Sequence, residues 1–286
     1  MQLENWQIRK IVLRALEEDL PFGDRTSSLL IPPSLRGKAF FLAKENLVIC
    51  GEFVAEMVFK EIDPEIEIEW LFPEGTEVPA KTKFGFVRGR VVSLLKGERV
   101  ALNFLQHLSG IATKVRKMCS ALINTQTLLL DTRKTIPGLK VLQKYAVKVG
   151  GGANHRFSLS DGILIKDNHI KALGGLGKVL EKLSKIPDML KVELEVKNLE
   201  ELDLLLNSDS RVDRVLLDNF TPEEVKIALQ KIKEKKPLLE VEVSGGITEE
   251  NLEVFASLGV DYISSGALTH SVKAVDISFK IEETWE

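Results

Sequence analysis

From Thr127 to Ser264 the sequence repeats one theme: a strand-length run rich in apolar residues, a polar or glycine-bearing turn, then a helical stretch. The runs are Thr127–Asp131, Ile163–Lys166, Val192–Val196, Arg214–Leu217, Leu239–Val243 and Tyr262–Ser264. The first runs unbroken through Leu128-Leu129-Leu130 into Asp131, which suits a strand covered on both faces, as parallel sheets require. Helix signals fall between them: Leu139–Val149, Gly177–Leu183, Leu199–Leu206 with Asn198 as N-cap, one opened by Thr221-Pro222-Glu223-Glu224, and one capped by Thr248. Thr221, Pro222 and Glu224 are the residue types preferred at N-cap, N1 and N3. From Val192 onward the period is roughly 24 residues, which argues for parallel βα units. Six or so such units point to a closed or nearly closed α/β barrel rather than an open doubly wound sheet.

The first third reads differently. Residues 1–20 form an amphipathic helical pattern, followed by a loop at Pro21–Thr26. From Lys38 to about Leu95 the signals are short strands: Ile66–Trp70 alternates with period two, and Phe84–Val87 and Arg90–Leu95 are strand-like. A short helix around Phe53–Phe59 interrupts them, and Pro73, Gly75 and Pro79 mark turns. This part is α+β, built on a small antiparallel sheet. The texture changes near Gly97, where Glu98–Ile123 becomes one long helical pattern broken only by Gly110.

In a parallel barrel, the residues that end each strand or follow it share one mouth. Here they are Asp131, Arg133 and Lys134; Lys166, Asp167, Asn168 and His169; Glu195; Asp218 and Asn219; Ser244-Gly245-Gly246; and Ser265-Gly266. Arg133, Arg156, Lys166 and His155 make a cationic cluster suited to carboxylate or phosphate groups. Glu195 and Asp218 could hold sugar hydroxyls or Mg²⁺, or face a developing cation. Glu193 points to the same side of its strand as Glu195, and reads equally as a buried partner for a lysine deeper in the barrel or as a direct participant. Asp131 is unassigned beyond orienting the neighbouring cations. The two glycine turns after the last two strands, beside helix N-termini, make a phosphate cradle. The segment Asp131–Lys171 carries net +5, so the rest of the chain is −8. Lys140, Lys144 and Lys148, spaced i, i+4, read as a solvated helix face. A phosphorylated sugar at one side, a small polyanion at the other and carboxylates between them suggest transfer at a sugar carbon.

Other classes are disfavoured. A net charge of −3 argues against a general nucleic-acid or membrane binder. No apolar run approaches the roughly 20 residues of a membrane span, and the N-terminus does not read as a signal peptide. Cys50 and Cys119 lack metal-ligand spacing and read as reduced thiols of a cytosolic protein. The four histidines show no zinc spacing, and His107 reads as a packed or surface residue of its helix. Nucleotide-binding and serine-hydrolase glycine motifs are missing. A Schiff-base barrel aldolase using Lys166 is disfavoured by the surplus of arginines. A non-catalytic phosphoribosyl-metabolite sensor would not need Glu195 and Asp218.

The motifs together resemble a known family. They are Glu18-Asp19-x-x-x-Gly23-Asp24-x-Thr26, Gly97-Glu98-Arg99 with Asn103, His107–Thr113, Asp131–Thr135, Gly150–Arg156, Leu164–His169, Leu216–Asn219, Ser244–Ile247 and Gly266–His270. Nearly end to end, the chain resembles quinolinate phosphoribosyltransferases (nicotinate-nucleotide pyrophosphorylases, carboxylating), which are type II phosphoribosyltransferases of NAD biosynthesis. The segment Ala172–Lys178 matches least. The resemblance implies that quinolinate and phosphoribosyl pyrophosphate (PRPP) give nicotinate mononucleotide, pyrophosphate and CO2 with Mg²⁺. It implies an N-terminal α/β sandwich domain (1–105, joined by 271–286) and an incomplete α/β, TIM-like barrel (106–270). It assigns quinolinate to Arg99, Arg133, His155, Arg156 and Lys166, with Arg99 entering from the partner subunit of a homodimer. It assigns PRPP to Lys134, Glu195, Asp218, Ser244, Gly245, Gly246 and Gly266. Lys166, Glu195 and Asp218 are the catalytic candidates, and Glu195 and Asp218 the Mg²⁺ candidates. A paralogous ModD-type pyrophosphorylase is the alternative within the same chemistry.

Overall fold

A computed structural model describes residues 5–183 and 189–286. In chain order the first elements are α1 (Asn5–Asp19), α2 (Arg25–Leu30), β1 (Arg36–Ala43), β2 (Leu47–Val48), α3 (Glu52–Ile62), β3 (Glu67–Trp70), β4 (Glu77–Val78), β5 (Lys83–Arg90) and α4 (Val91–Ser120). Then come β6 (Leu128–Leu130), α5 (Lys140–Val149), β7 (Ile163–Ile165), α6 (Asp167–Leu173), α7 (Leu176–Leu183), β8 (Val192–Val196) and α8 (Leu199–Leu206). The last are β9 (Arg214–Asp218), α9 (Pro222–Lys235), β10 (Glu240–Ser244), α10 (Leu252–Ala256), β11 (Tyr262–Ser264) and β12 (Ile277–Trp285). None of the described helices is long and apolar enough to cross a membrane.

Two compact units emerge. One takes the chain up to Arg116 together with Thr135–Gly151 and Thr269–Glu286; the other takes Lys117–Lys134 and Gly152–Leu268. These limits lie later than the division at 105/106 drawn from sequence, and they move α5 to the first unit. The reason is chemical. The buried Gln143 of α5 bonds to Thr269 O, His107 Nε2 and, through its carbonyl, Ile136 N–H. Tyr145 OH donates to Glu74 at 2.6 Å. Arg116 donates to the carbonyls of Val149 and Gly150. His107 is thus a packed histidine whose pKa burial lowers.

The first unit holds an antiparallel sheet of order β12-β1-β5-β3. Phe41 of β1 stacks on Trp70 at 5.3 Å and on Phe84 at 5.7 Å, and packs against Phe279 of β12 at 5.1 Å. On α1, Ile8, Val12 and Leu16 recur at four-residue spacing and are buried, as an amphipathic helix requires. The return of the C-terminal segment is tightly built. Gln106 accepts from Val275 N–H through its backbone and donates to Ile277 O through its side chain. Gly110 sits where any Cβ would lie 2.4 Å from Lys273 O, so only glycine admits the returning backbone.

Two expectations fail here. Arg90–Leu95 is not a strand: β5 ends at Arg90 and α4 begins at Val91. Val91 and Leu94 are both buried, a helical i, i+3 pair within a run too short for periodicity to settle. Lys140, Lys144 and Lys148 are not one solvated face, because Lys144 has no exposed surface. Its neighbours Leu142, Gln143, Ala146 and Val147 are buried too, so α5 is covered on more than one side.

A buried acid in this unit gives a pH prediction. Glu52, at the start of α3, is 8% exposed, and one of its carboxylate oxygens has no hydrogen-bond partner among the described residues. Burial first, then Glu74 and Glu56, raise its pKa to about 8. In the unfolded chain the proton leaves near 4.5. Stability is therefore lost as pH rises from about 4.5 to about 8, and the loss is complete above that. Glu52→Gln cannot ionise, so it should stabilise the protein increasingly from pH 5 to pH 9, by on the order of 2–4 kcal/mol at the upper end. Thermal melts of both proteins across that range check this; a constant gap would rule it out.

Candidate active site

The second unit is a six-stranded, all-parallel sheet of order β6-β11-β10-β9-β8-β7. Consecutive strands follow one another round a ring that is open between β6 and β7, which is the expected incomplete barrel. Asn198 caps α8, and Thr221 and Glu224 form a capping box on α9, as the sequence indicates. Two local expectations fail. Thr248 does not cap the next helix: Asn251 precedes α10, and its Oδ1 accepts from Thr248 N–H at 2.8 Å, so a polar turn replaces the first helical turn. The helix α6 goes unmarked in the sequence, and Gly174 and Gly175 follow it with φ of 80° and 122°.

The strand ends assemble most of the expected residues. Lys166 follows β7, and its Nζ lies 2.5 Å from Oε2 of the buried Glu195 on β8. This is an ion pair, not the free amine a Schiff-base nucleophile needs. A cavity of about 340 Å³ opens beside Glu195, lined also by Asp167, Asn168, Lys171 and Lys197. Asp218 ends the adjacent β9, where Asn219 Nδ2 donates to its Oδ2 at 2.9 Å. Ser244 ends β10, and Gly245 and Gly246 follow with φ of 93° and 62°. A Cβ on Gly245 would lie 2.3 Å from Asn219 Oδ1, so the turn closes directly on the residue that holds Asp218. Asn251 donates to Gly246 O, and Ser265 Oγ to Ile247 O, which ties this turn to Ser265-Gly266 after β11. The two turns neighbour each other as expected, but the first is not at a helix N-terminus, since α10 starts only at Leu252. Arg99 lies on the exposed side of α4, in the first unit.

The cations carry the strongest signal. Burial lowers the pKa of Arg156, and the charge of Arg133 lowers it further. Glu193 and Asp161 offset part of that effect, and two cations set against each other suit an anionic ligand. Arg156 Nη1 donates to Gly162 O at 3.3 Å, while its buried Nε has no acceptor among the described residues. Buried donors are rarely left so. Arg133 and Lys134 are exposed after β6.

Beneath this mouth lies a layer that the sequence reading missed. Arg214 Nη1 reaches Glu242 at 3.1 Å, and its Nε and Nη2 reach Glu240. His155 Nε2 lies 2.8 Å from Glu193 and 3.6 Å from Glu242. Burial and Glu193 push Glu242 upward. So Glu193 is a buried partner, as one reading had it, but of His155. The ligand atoms of His155, Glu193 and Glu242 fall within 4.8 Å of one another, a spacing that suits a metal ion. The tautomer argues against one. Arg156 N–H donates to His155 Nδ1 at 2.7 Å, so the ring proton sits on Nε2 and is given to Glu193. A ligating Nε2 would need its lone pair free. Both ring nitrogens of His155 are engaged, and one of them holds the Arg156 amide. The signal for this layer was the Glu-x-Glu alternation in β8 and β10 facing Arg214, but the pairing was not readable from spacing.

Comparisons with known proteins agree. The family described as "Quinolinate phosphoribosyl transferase, C-terminal domain" matches residues 111–280, and its "N-terminal domain" counterpart matches 24–109. A relative from Nicotiana tabacum, "Quinolinate phosphoribosyltransferase [decarboxylating] 2b, mitochondrial", is 41% identical over 97% of this chain and 83% of its own length. A Synechocystis relative, "Probable nicotinate-nucleotide pyrophosphorylase [carboxylating]", is 41% identical over 93% of this chain and 90% of its own. The solved nicotinate-nucleotide pyrophosphorylase of Francisella tularensis superposes with a TM-score of 0.91 at 39% identity, covering 98% of each chain.

Proposed function

The chain belongs to the quinolinate phosphoribosyltransferase family, and we propose that its barrel mouth performs that family's reaction with the residues described above. The enzyme transfers the phosphoribosyl group of PRPP to quinolinate with decarboxylation, giving nicotinate mononucleotide, pyrophosphate and CO2. The observation that carries the site assignment is the buried Nε of Arg156, which has no acceptor among the described residues. Arg133 and Arg156 clamp the quinolinate carboxylates, with Lys166 as a third positive contact. A planar guanidinium matches a carboxylate in two parallel hydrogen bonds. Lys134 and the Ser244–Gly246 and Gly266 turns take PRPP phosphates, through a cation and through backbone N–H groups.

Held there, the pyridine nitrogen attacks C1 of the ribose, and pyrophosphate leaves with the electrons of the broken C–O bond. Positive charge develops on the sugar, and Glu195 and Asp218 on adjacent strands are placed to stabilise it. The alkylated ring nitrogen is positive, so the carboxylate beside it departs as CO2. The carbanion left at that carbon is stabilised by the adjacent charge and takes up a proton. The protein's part is to hold geometry and limit solvation of the departing carboxylate. Glu195 and Asp218, hard oxygen donors at neighbouring strand ends, fit Mg²⁺. Bound with the polyphosphate, the ion would offset charge on the leaving group.

We further propose a homodimer in which Arg99 serves the partner's site. Exposed apolar side chains of the first unit, Trp6, Phe22, Leu29 and Leu30, support an interface. The test of the function is incubation with quinolinate, PRPP and Mg²⁺, following nicotinate mononucleotide and CO2 together; nicotinate and other pyridine acids serve as competitors. Failure to form both products from quinolinate would overturn the reading.

A further inference from the structure

Two buried acids, Asp131 and Glu193, converge on a segment that belongs to no strand. The ring of strands is open between β6 and β7, and among the described residues Ala153 alone forms an isolated bridge there, to Leu130. The next three residues, Asn154, His155 and Arg156, are held by side chains. Asp131, fully buried just past β6, accepts from Asn154 Nδ2 at 2.6 Å and from His155 N–H at 3.0 Å. Glu193, on β8 across the seam, accepts from His155 Nε2–H at 2.8 Å. The same ring accepts the Arg156 N–H on Nδ1 at 2.7 Å. One acid therefore fixes the His155 amide, and the other fixes the imidazole that fixes the Arg156 amide.

We propose that Asp131 and Glu193 are positioning residues that set where Arg156 stands relative to Arg133, by clamping Asn154–Arg156 into the open seam. Asp131 lies two residues before Arg133, so it ties both guanidiniums to one strand end. Misplacing a binding group by about 1 Å can cost on the order of 10²-fold. The inference rests on the reading of Arg156 as a quinolinate contact. It goes further in giving both buried acids control over recognition of one substrate and not the other, through the residues they hold.

The experiment measures initial rates of the full-length protein with each substrate varied in turn. Asp131→Asn should raise KM for quinolinate roughly 10- to 100-fold and KM for PRPP by no more than about threefold. The exchanged pair Asp131→Asn with Asn154→Asp should bring the quinolinate KM most of the way back. In it the side-chain bond runs in the reverse direction, and an amide oxygen at position 131 still accepts from His155 N–H. Equal rises in both KM values, no rise, or no recovery in the exchanged pair would each overturn the clamp. Should Asp131→Asn fail to fold, Glu193→Ala supplies the second arm: a rise confined to quinolinate, largely reversed by Glu193→Gln, supports the clamp, and equal rises overturn it. An inactive parent protein would instead sink the functional reading, so the two failures are separable.

Discussion

Replacing Arg133 by alanine will lower kcat/KM for quinolinate by about 10- to 10⁴-fold, because one or two charge-assisted hydrogen bonds of roughly 1.5–3 kcal/mol each are lost and about 1.4 kcal/mol is one decade. The structure adds a second half to this expectation. Arg133 is exposed, and its charge works against the charge on Arg156 in the free protein. Removing it relieves that repulsion, so activity should fall with little change in melting temperature. Arg133→Lys should recover little of the loss, since a point charge cannot reproduce the planar fork. Steady-state kinetics and thermal melting on the same preparations decide the matter. An unchanged kcat/KM would remove Arg133 from the site, and a fall in both quantities would make its role structural.

Mixing two inactive variants, Arg99→Ala and Lys166→Ala, should restore activity. Arg99 belongs to the first unit and Lys166 to the second. If each site takes its arginine from the partner, a mixed dimer contains one doubly damaged site and one intact site. At full random exchange of a two-fold dimer, about a quarter of all sites are intact, so activity should climb from near zero to about 25% of the parent. Mass measurement of the exchanged dimers verifies the mixing. Verified mixed dimers without recovered activity would show that Arg99 acts within its own subunit or not at all.

Much of this was legible because the barrel writes its chemistry in order. Each strand is short and rich in apolar residues, and Lys166, Glu195, Asp218 and Ser244 sit where the strands end. What was not legible has three physical origins. Arg90–Leu95 is mostly apolar and too short to show a period, and packing of Val91 and Leu94 decides that it coils. Lys144 shares its spacing with surface lysines, yet lies under full cover. The contacts of His155 come from residues 24 and 38 positions away, pairings that no local pattern encodes. Asp131 could be noticed in the sequence, but its purpose could not be read until Asn154 was seen beside it.

The strand β12 completes the first sheet by pairing along β1, with the whole second unit lying between them in sequence. During synthesis, then, the half of the protein that leaves the ribosome first is finished last. The barrel strands can pair as soon as Ser264 is out, whereas β1 must wait, its outer edge uncovered, until Trp285 has emerged. An unpaired strand edge is a template for the wrong partner. A premature stop that removes only β12, a segment holding none of the proposed site residues, should therefore be harmful in the cell, leaving the edge of β1 open to aggregation.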